Sequence, residues 1–356
     1  MNTSGAPIVS VVMSVYNGGS FLQEAVESIL RQTFGRLELI VINDASTDNT
    51  GEILHNCRRS DNRVIICDQE NRGLIASLNR GCGLAKGKYI ARMDADDICD
   101  VRRLETQVSF LEAHPEIGIV GSGALIVDEQ GEVIHHQAMP TRPALIHWHL
   151  AFENCFVNSS IMMRREVAQS LNYYRPGLLL AEDYDLWSRA VAVTRLTNLP
   201  DVLVRRREWG GNISTVHFSE MELTACTISR SILEGLLRRA VDAETVAYAR
   251  RLLVLRQPPR SMEEVRTVAS LVRDLHKDYL AKSPLETDDS RELARDVGLK
   301  FARLAMGALR ISPWEGLGLV VEALRLNPSH LAMRTLKRIL RRLTAGLGPA
   351  VTQRQK

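Results

Sequence analysis

The chain predicts an α/β fold, a mostly parallel sheet flanked by helices, followed by an all-helical C-terminal region. Three observations predict it. Short β-branched apolar runs alternate with helix-period segments from Pro7 to Met93. Three of those runs end in polar clusters, Tyr16-Asn17-Gly18, Asn43-Asp44 and Asp94-Ala95-Asp96. From about Glu220 the apolar residues recur only at helical spacing.

Pro7–Tyr16 reads as a buried strand rich in Val and Ile, and the next helix carries Phe21, Leu22, Ala25, Ile29 and Leu30 on one face. Leu37–Asn43 predicts a second strand, and a helix runs from about Thr47 to Cys57, with Ser46 and Thr47 read as its caps. A short strand over 64–67, a helix over 74–85 and a strand over 89–93 follow. Right-handed crossovers then bring the polar clusters to one sheet edge, where ligands bind in open α/β sheets. A helix through Arg102–Leu111 leads to two β-like runs flanking Asp128-Glu129-Gln130-Gly131, an antiparallel hairpin. Ser159–Met163 reads as a further strand, and Glu182-Asp183-Tyr184-Asp185 opens an acidic helix.

Composition narrows the function. With 45% hydrophobic and 24% charged residues, the 356-residue chain reads as an ordinary soluble globular protein of two or three domains. Its net charge of +3 singles out no partner, and no nucleic-acid partner is expected. Six scattered cysteines with no Cys-x-x-Cys pair argue against a zinc site or disulfide framework and fit a reducing cytosol. Ser10 and Ser14 interrupt the first apolar run and no Lys or Arg precedes Arg31, so neither a signal peptide nor a spanning helix is expected. Neither a Gly-x-Gly-x-x-Gly nor a Gly-x-x-x-x-Gly-Lys sequence occurs after the first strand, which disfavours dinucleotide redox chemistry and P-loop phosphoryl transfer.

Tyr89–Asp97 is the chemically informative stretch. Side chains alternate along a strand, so Asp94 and Asp96 are expected on one side and Asp97 on the other. Two converging carboxylates call for a cation, and Mg²⁺ or Mn²⁺ suits hard oxygen ligands. A solvated acidic turn is the alternative. Asp44 reads equally as a ligand contact or a turn residue. The acidic start at Glu182 and Asp183 either complements the helix dipole or holds a general base.

Several stretches together resemble the family 2 glycosyltransferases, inverting enzymes of GT-A fold. They are Val9–Asn17, Val41–Asp48, Asn71-Arg72-Gly73-Leu74, Asn79-Arg80-Gly81, Gly87–Asp97 and Ala181–Trp187, and the resemblance covers about residues 7–215. It implies sugar transfer from a nucleotide-diphosphate donor, UDP-linked by default, to the hydroxyl of a glycan or lipid-linked acceptor in cell-surface polysaccharide synthesis. It implies that Asp44 contacts the nucleobase, that Tyr16, Asn17 and Arg72 lie in the nucleotide-sugar site, and that Asp94 and Asp96 form the DxD pair for metal, ribose and diphosphate. Asp183 then matches the general base and Glu182 its neighbour in the motif. An alternative is a degenerate GT-A-like module that binds nucleotide or glycan while its helices recruit a partner. A sugar-phosphate nucleotidyltransferase would carry a Gly-rich, basic loop where this chain has Asn17-Gly18-Gly19-Ser20.

The chain departs from the family in two places. Trp209 stands about where many relatives carry a His that assists metal or diphosphate, and Arg205, Arg206 or Arg207 either binds diphosphate instead or ends a solvated strand. Val157-Asn158-Ser159 replaces a common His-Pro-Ser. The expected division is a GT-A domain over 1–218, with a nucleotide-sugar half over 7–115 and an acceptor half over 116–218, then a helical region over 219–356. That region begins with a stripe of Met221, Ala225, Ile228, Ile232 and Leu236. Further helices are expected over 244–255, 261–280, 291–309, 313–326 and 330–343. The last is basic and amphipathic, and no acidic residue follows Glu322. It reads equally as an anionic-membrane or partner contact over about 330–345 and as a packed terminal helix. Cytoplasmic location, alone or peripheral on the cytoplasmic membrane face, follows as an expectation.

Overall fold

The computed structural model describes residues 5–178, 180–282 and 285–328. The first half of the sheet is built as the alternation requires. Strands β1 (Val9–Val15), β2 (Leu37–Asp44), β3 (Val64–Gln69) and β4 (Tyr89–Arg92) are parallel in the order β3-β2-β1-β4. Every residue of β2 is buried, as expected of a strand covered on both faces. Helix α1 (Leu22–Leu30) lays Leu22, Ala25, Val26 and Ile29 against Val9, Val11, Met13 and Leu39. Helix α2 (Thr50–Ser60) adds Leu54 to the same core. On the opposite face, helix α3 (Leu74–Leu84) approaches so closely at Gly81 that a Cβ there would fall 2.5 Å from Val12.

The second half is mixed. Strand β5 (Ile98–Cys99) and helix α4 (Arg103–Ala113) lead into the hairpin β6 (Ile117–Val127) and β7 (Val133–Gln137). Helix α5 (Pro143–Leu150) precedes β8 (Met162–Arg164), which pairs antiparallel with both β4 and β6. The strand expected over Ser159–Met163 is therefore shorter, because Asn158–Ser160 forms a 3₁₀ turn that aims Ser159 at the end of β4. Helices α6 (Arg165–Ser170) and α7 (Glu182–Ala190) precede β9 (Arg195–Arg207), parallel to β6 and antiparallel to β5.

Contacts divide the chain into two compact units, Met1–Leu150 with Asn154–Ile228, and Ala151–Glu153 with Ser229–Lys356. Helices α8 (Ile213–Val216) and α9 (Phe218–Leu237) lead from the first to the second along the chain. The second unit contains α10 (Ala243–Ala249), continued by a π-turn over Arg250–Val254, then α11 (Met262–Lys282), α12 (Thr287–Ala308) and α13 (Pro313–Leu326). Paired Arg–Glu contacts, Arg266 to Glu315 and Arg273 to Glu322, tie α11 to α13. Among the described residues no helix is long and apolar enough to cross a membrane. The basic helix expected over 330–343 lies outside the described residues.

Candidate nucleotide-sugar site

The loops after β1, β2 and β4 meet at one cleft of about 440 Å³, lined among others by Tyr16, Asn17, Asp44, Asp94 and Asp96. The first two loops are zipped together. Asn17, at φ +52°, accepts the Thr47 N–H at 2.8 Å and donates its own N–H to Ser46 Oγ at 2.9 Å. Gly18 and Gly19 donate to Thr50 Oγ1 and Asp48 Oδ2. Ser46 and Thr47 therefore do not cap α2, which begins at Thr50 with Asp48 accepting its N–H. The Ser46 hydroxyl and the Thr47 N–H are instead bonded to Asn17 of the neighbouring loop. Tyr16 is 55% exposed at the cleft.

Asp44 ends β2 and is 3% exposed. Its Oδ1 accepts from Gln69 Nε2 at 2.7 Å and from the Arg72 N–H at 2.8 Å, and its Oδ2 accepts from the Gly73 N–H at 2.8 Å. The carboxylate thus pins the loop before α3. Arg72 contributes its backbone, and its exposed guanidinium is not part of the cleft wall.

Asp94, Asp96 and Asp97 follow the end of β4. Asp94 Oδ1 pairs with Arg92 at 2.5 Å, and Oδ2 accepts from Ser159 Oγ at 3.0 Å. Asp96 Oδ2 accepts from Trp209 Nε1 at 2.9 Å and Asn212 Nδ2 at 3.1 Å. Among the described residues no other residue's donor is bonded to its Oδ1, and Asp96's own backbone N–H also bears on the carboxylate. Asp97 turns away into the interior, 3% exposed, and accepts the Arg207 N–H at 2.8 Å. Burial, with the charges of Asp96 and Asp94, pushes its carboxyl up to about 8. Burial and the Asp94 charge also raise Asp96. This crowding of acids is the situation a cation relieves.

Arg207 answers the question of the basic strand end. It is 3% exposed and donates to Asp96 O, Asp128 O, Glu129 O and Glu24, with its guanidinium 4.4 Å from the Phe21 ring centroid. Its hydrogen bonds hold the acidic turn onto α1 and the β6–β7 hairpin, so it braces the site from below. Arg205 is exposed, and Arg206 faces Glu208.

Glu182 and Asp183 open α7 after two consecutive left-handed residues, Leu180 at φ +65° and Ala181 at φ +58°. Non-glycine residues held there cost about 1–2 kcal/mol each. Asp183 accepts from Asn154 Nδ2 at 2.8 Å and from the Tyr184 N–H. Burial raises its carboxyl, and the Asp94 charge adds to that. Glu182 is 6% exposed, and burial followed by the Asp183 charge pushes it up to about 7. Arg92, only 2% exposed, opposes the rise in both. Asp94 and the Glu182–Asp183 pair are therefore electrostatic neighbours, although the pair does not line the cleft itself.

Arg92, Asn154 and Asn212 are residues around the site that sequence reasoning does not place, and it leaves the parts played by Ser159, Arg207 and Trp209 open. A lone Arg inside an apolar strand and a Trp-Gly-Gly-Asn turn just after one were the available signals.

A mixed sheet with acidic turns gathered at the carboxyl ends of its parallel strands is an architecture of GT-A type. Residues 10–171 match Glycosyl transferase family 2. An uncharacterized glycosyltransferase of Haemophilus influenzae is 37% identical over 257 residues, 67% of this chain and 78% of that protein. The O-antigen biosynthesis glycosyltransferase WbnJ of Escherichia coli is 32% identical over 204 residues, 56% of this chain and 79% of that protein. The mannosyltransferase PcManGT from Pyrobaculum calidifontis, solved in complex with GDP-Man and Mn²⁺, shares the fold. Its TM-score is 0.51 at 18% identity, covering 91% of this chain and 88% of that one. The chain belongs to glycosyltransferase family 2.

Proposed function

We propose that this glycosyltransferase inverts configuration at the transferred sugar, uses a divalent cation, and builds a cell-surface glycan from a nucleotide-diphosphate sugar. The observation that carries the reading is the cleft where Asp44, Asp94 and Asp96 meet, with Asp183 near enough for the Asp94 charge to raise it.

Tyr16 offers an exposed ring to a nucleobase, and Asp44 fixes the loop over 71–74 that borders the base and ribose. The donor set fits a cation held by few protein atoms. Among the described residues no three His, Cys, Asp or Glu side chains converge on one point, which leaves phosphate and water oxygens to complete a shell. Asp96 would hold the cation through Oδ1, and Asp94 stands beside it, oriented by Arg92 and Ser159. When bound, Mg²⁺ or Mn²⁺ supplies Lewis-acid stabilisation of the departing nucleoside diphosphate.

Asp183 accepts the acceptor hydroxyl's proton. The acceptor oxygen then bonds to the anomeric carbon as the bond to the phosphate oxygen breaks, in a single displacement. A base needs to lie within about 2.6–3.2 Å of that hydroxyl in the reacting complex. Asn154 and the Tyr184 N–H orient the carboxylate for that task. Glu182, kept protonated more readily by burial, supports the neighbouring charge. WbnJ, named for O-antigen biosynthesis, supports a glycan acceptor. UDP is the default nucleotide, and GDP is the alternative because PcManGT carries GDP-Man. The basic segment 330–345 is proposed to touch anionic lipid, and its deletion is expected to abolish co-sedimentation with anionic vesicles.

The test is transfer from UDP- and GDP-sugars with Mn²⁺ to lipid-linked or free glycans, with product anomers read by NMR. Inversion with one donor, lost about 10²–10⁴-fold in Asp183→Asn while nucleotide binding persists, supports the reading. Retention of configuration, or full activity in Asp183→Asn, overturns it.

A further inference from the structure

Trp209 sits where its chemistry is unambiguous. An indole N–H donates and never accepts, so Trp209 cannot ligate a cation. Its Nε1 points at Asp96 Oδ2 from 2.9 Å, and Asn212 Nδ2 reaches the same oxygen from 3.1 Å.

The turn that delivers the two donors is built for the purpose. The Trp209 N–H donates to Asn212 Oδ1 at 2.6 Å, and the Asn212 N–H donates back to Trp209 O at 3.2 Å. Between them, the indole lies against the backbone of Gly211, where a Cβ would fall 2.2 Å from the ring. The outer edge of the ring meets Phe21 at 5.2 Å and 69°. Phe21 in turn carries the Arg207 guanidinium. The indole is thus fixed on several sides, with its one polar atom aimed at a carboxylate.

We infer that Trp209 and Asn212 are positioning residues for Asp96: by occupying Oδ2 they lock its rotamer and leave Oδ1 to face a divalent cation that would bind with the donor's diphosphate. The inference rests on the proposed donor site and adds the residues that set its metal affinity. Partners hydrogen-bonded to a metal ligand hold it in its binding orientation, and their loss costs about 10–100-fold in metal affinity. Gly211 belongs to the device because only its missing side chain lets the ring lie flat enough to reach Asp96.

The test is calorimetric binding of UDP and of GDP to the full chain, each with Mn²⁺ and with EDTA. It compares the unsubstituted protein with Trp209→Phe, which keeps a ring but removes the N–H, and with Gly211→Ala, which displaces the ring. The expected result is that Mn²⁺ tightens nucleotide binding in the unsubstituted chain and that both variants lose at least about tenfold of that tightening. Their affinity in EDTA is expected to stay within about twofold, which also reports an intact fold. Equal Mn²⁺-dependent tightening in all three proteins overturns the positioning role and leaves the donor site standing. A loss of the same size in EDTA also overturns it, because the segment would then be shaping the cleft generally. If neither nucleotide binds the unsubstituted chain with Mn²⁺, the donor-site reading itself falls, and the inference with it.

Discussion

Replacing Arg207 by Met tests whether this arginine is a brace or a diphosphate ligand. The side chain is 3% exposed and makes four hydrogen bonds. Not all of them contribute equally. Glu24 is 59% exposed, so its ion pair is screened and contributes little. Glu129 is exposed, so its carbonyl regains water when the guanidinium leaves. The carbonyls of half-buried Asp96 and Asp128 lose a charged donor, at about 1 kcal/mol each. Loss of the stacked contact with Phe21 adds about 1 kcal/mol. Met fills most of the volume, so the cavity contribution is small. The total is about 3 kcal/mol, a fall in melting temperature of roughly 6–12 °C for a unit of this size. Urea unfolding followed by circular dichroism measures it. A loss below about 1 kcal/mol together with a collapse of nucleotide affinity would refute the brace and favour the ligand.

Two further substitutions probe the turn after β2 and the start of α7. Ala45 is held at φ +63°, so Ala45→Gly is expected to raise stability by about 0.5–1 kcal/mol, read as a higher urea midpoint. Glu182 is raised in the folded state from 4.5 to about 7. Its contribution is fully present below about 4.5 and is lost as pH rises through about 7, because the folded state holds the proton more tightly. The urea midpoint is therefore expected to fall across that window, and Glu182→Gln is expected to flatten the slope. An unchanged slope in the variant would show that burial does not perturb this carboxyl.

Legibility in the sequence followed interaction range. The strands from Val9 to Arg92 were readable because each is a compact apolar run, and the carboxylates were readable because they end those runs. The acidic helix start after the apolar run at Leu178 is readable in the same way, and the helix begins at Glu182. Hydrogen-bond partners across long sequence separations were not readable. Ser46 and Thr47 look like caps because their type suits that position, yet Asn17 claims them from the neighbouring loop. Trp209 and Asn212 reach Asp96 from more than a hundred residues away, which no local pattern encodes. Arg207 reads as one of three arginines that either bind diphosphate or end a solvated strand, because the alternation of β9 shows only which face it takes. That the face is closed by Phe21, Glu24 and the β6–β7 turn emerges only in three dimensions.

The central claim is that the cleft between β1, β2 and β4 takes a nucleoside diphosphate through Asp96 and a cation. Thermal unfolding with UDP, GDP, dTDP and CMP, each with Mn²⁺ and with a chelator, tests it most directly. At about 100 times its dissociation constant, the cognate nucleotide adds about 2.7 kcal/mol, a shift of several degrees. That shift is expected for one nucleotide, dependent on Mn²⁺ and diminished in Asp96→Ala. No shift with any nucleotide in the presence of Mn²⁺, or an equal shift in Asp96→Ala, would contradict it.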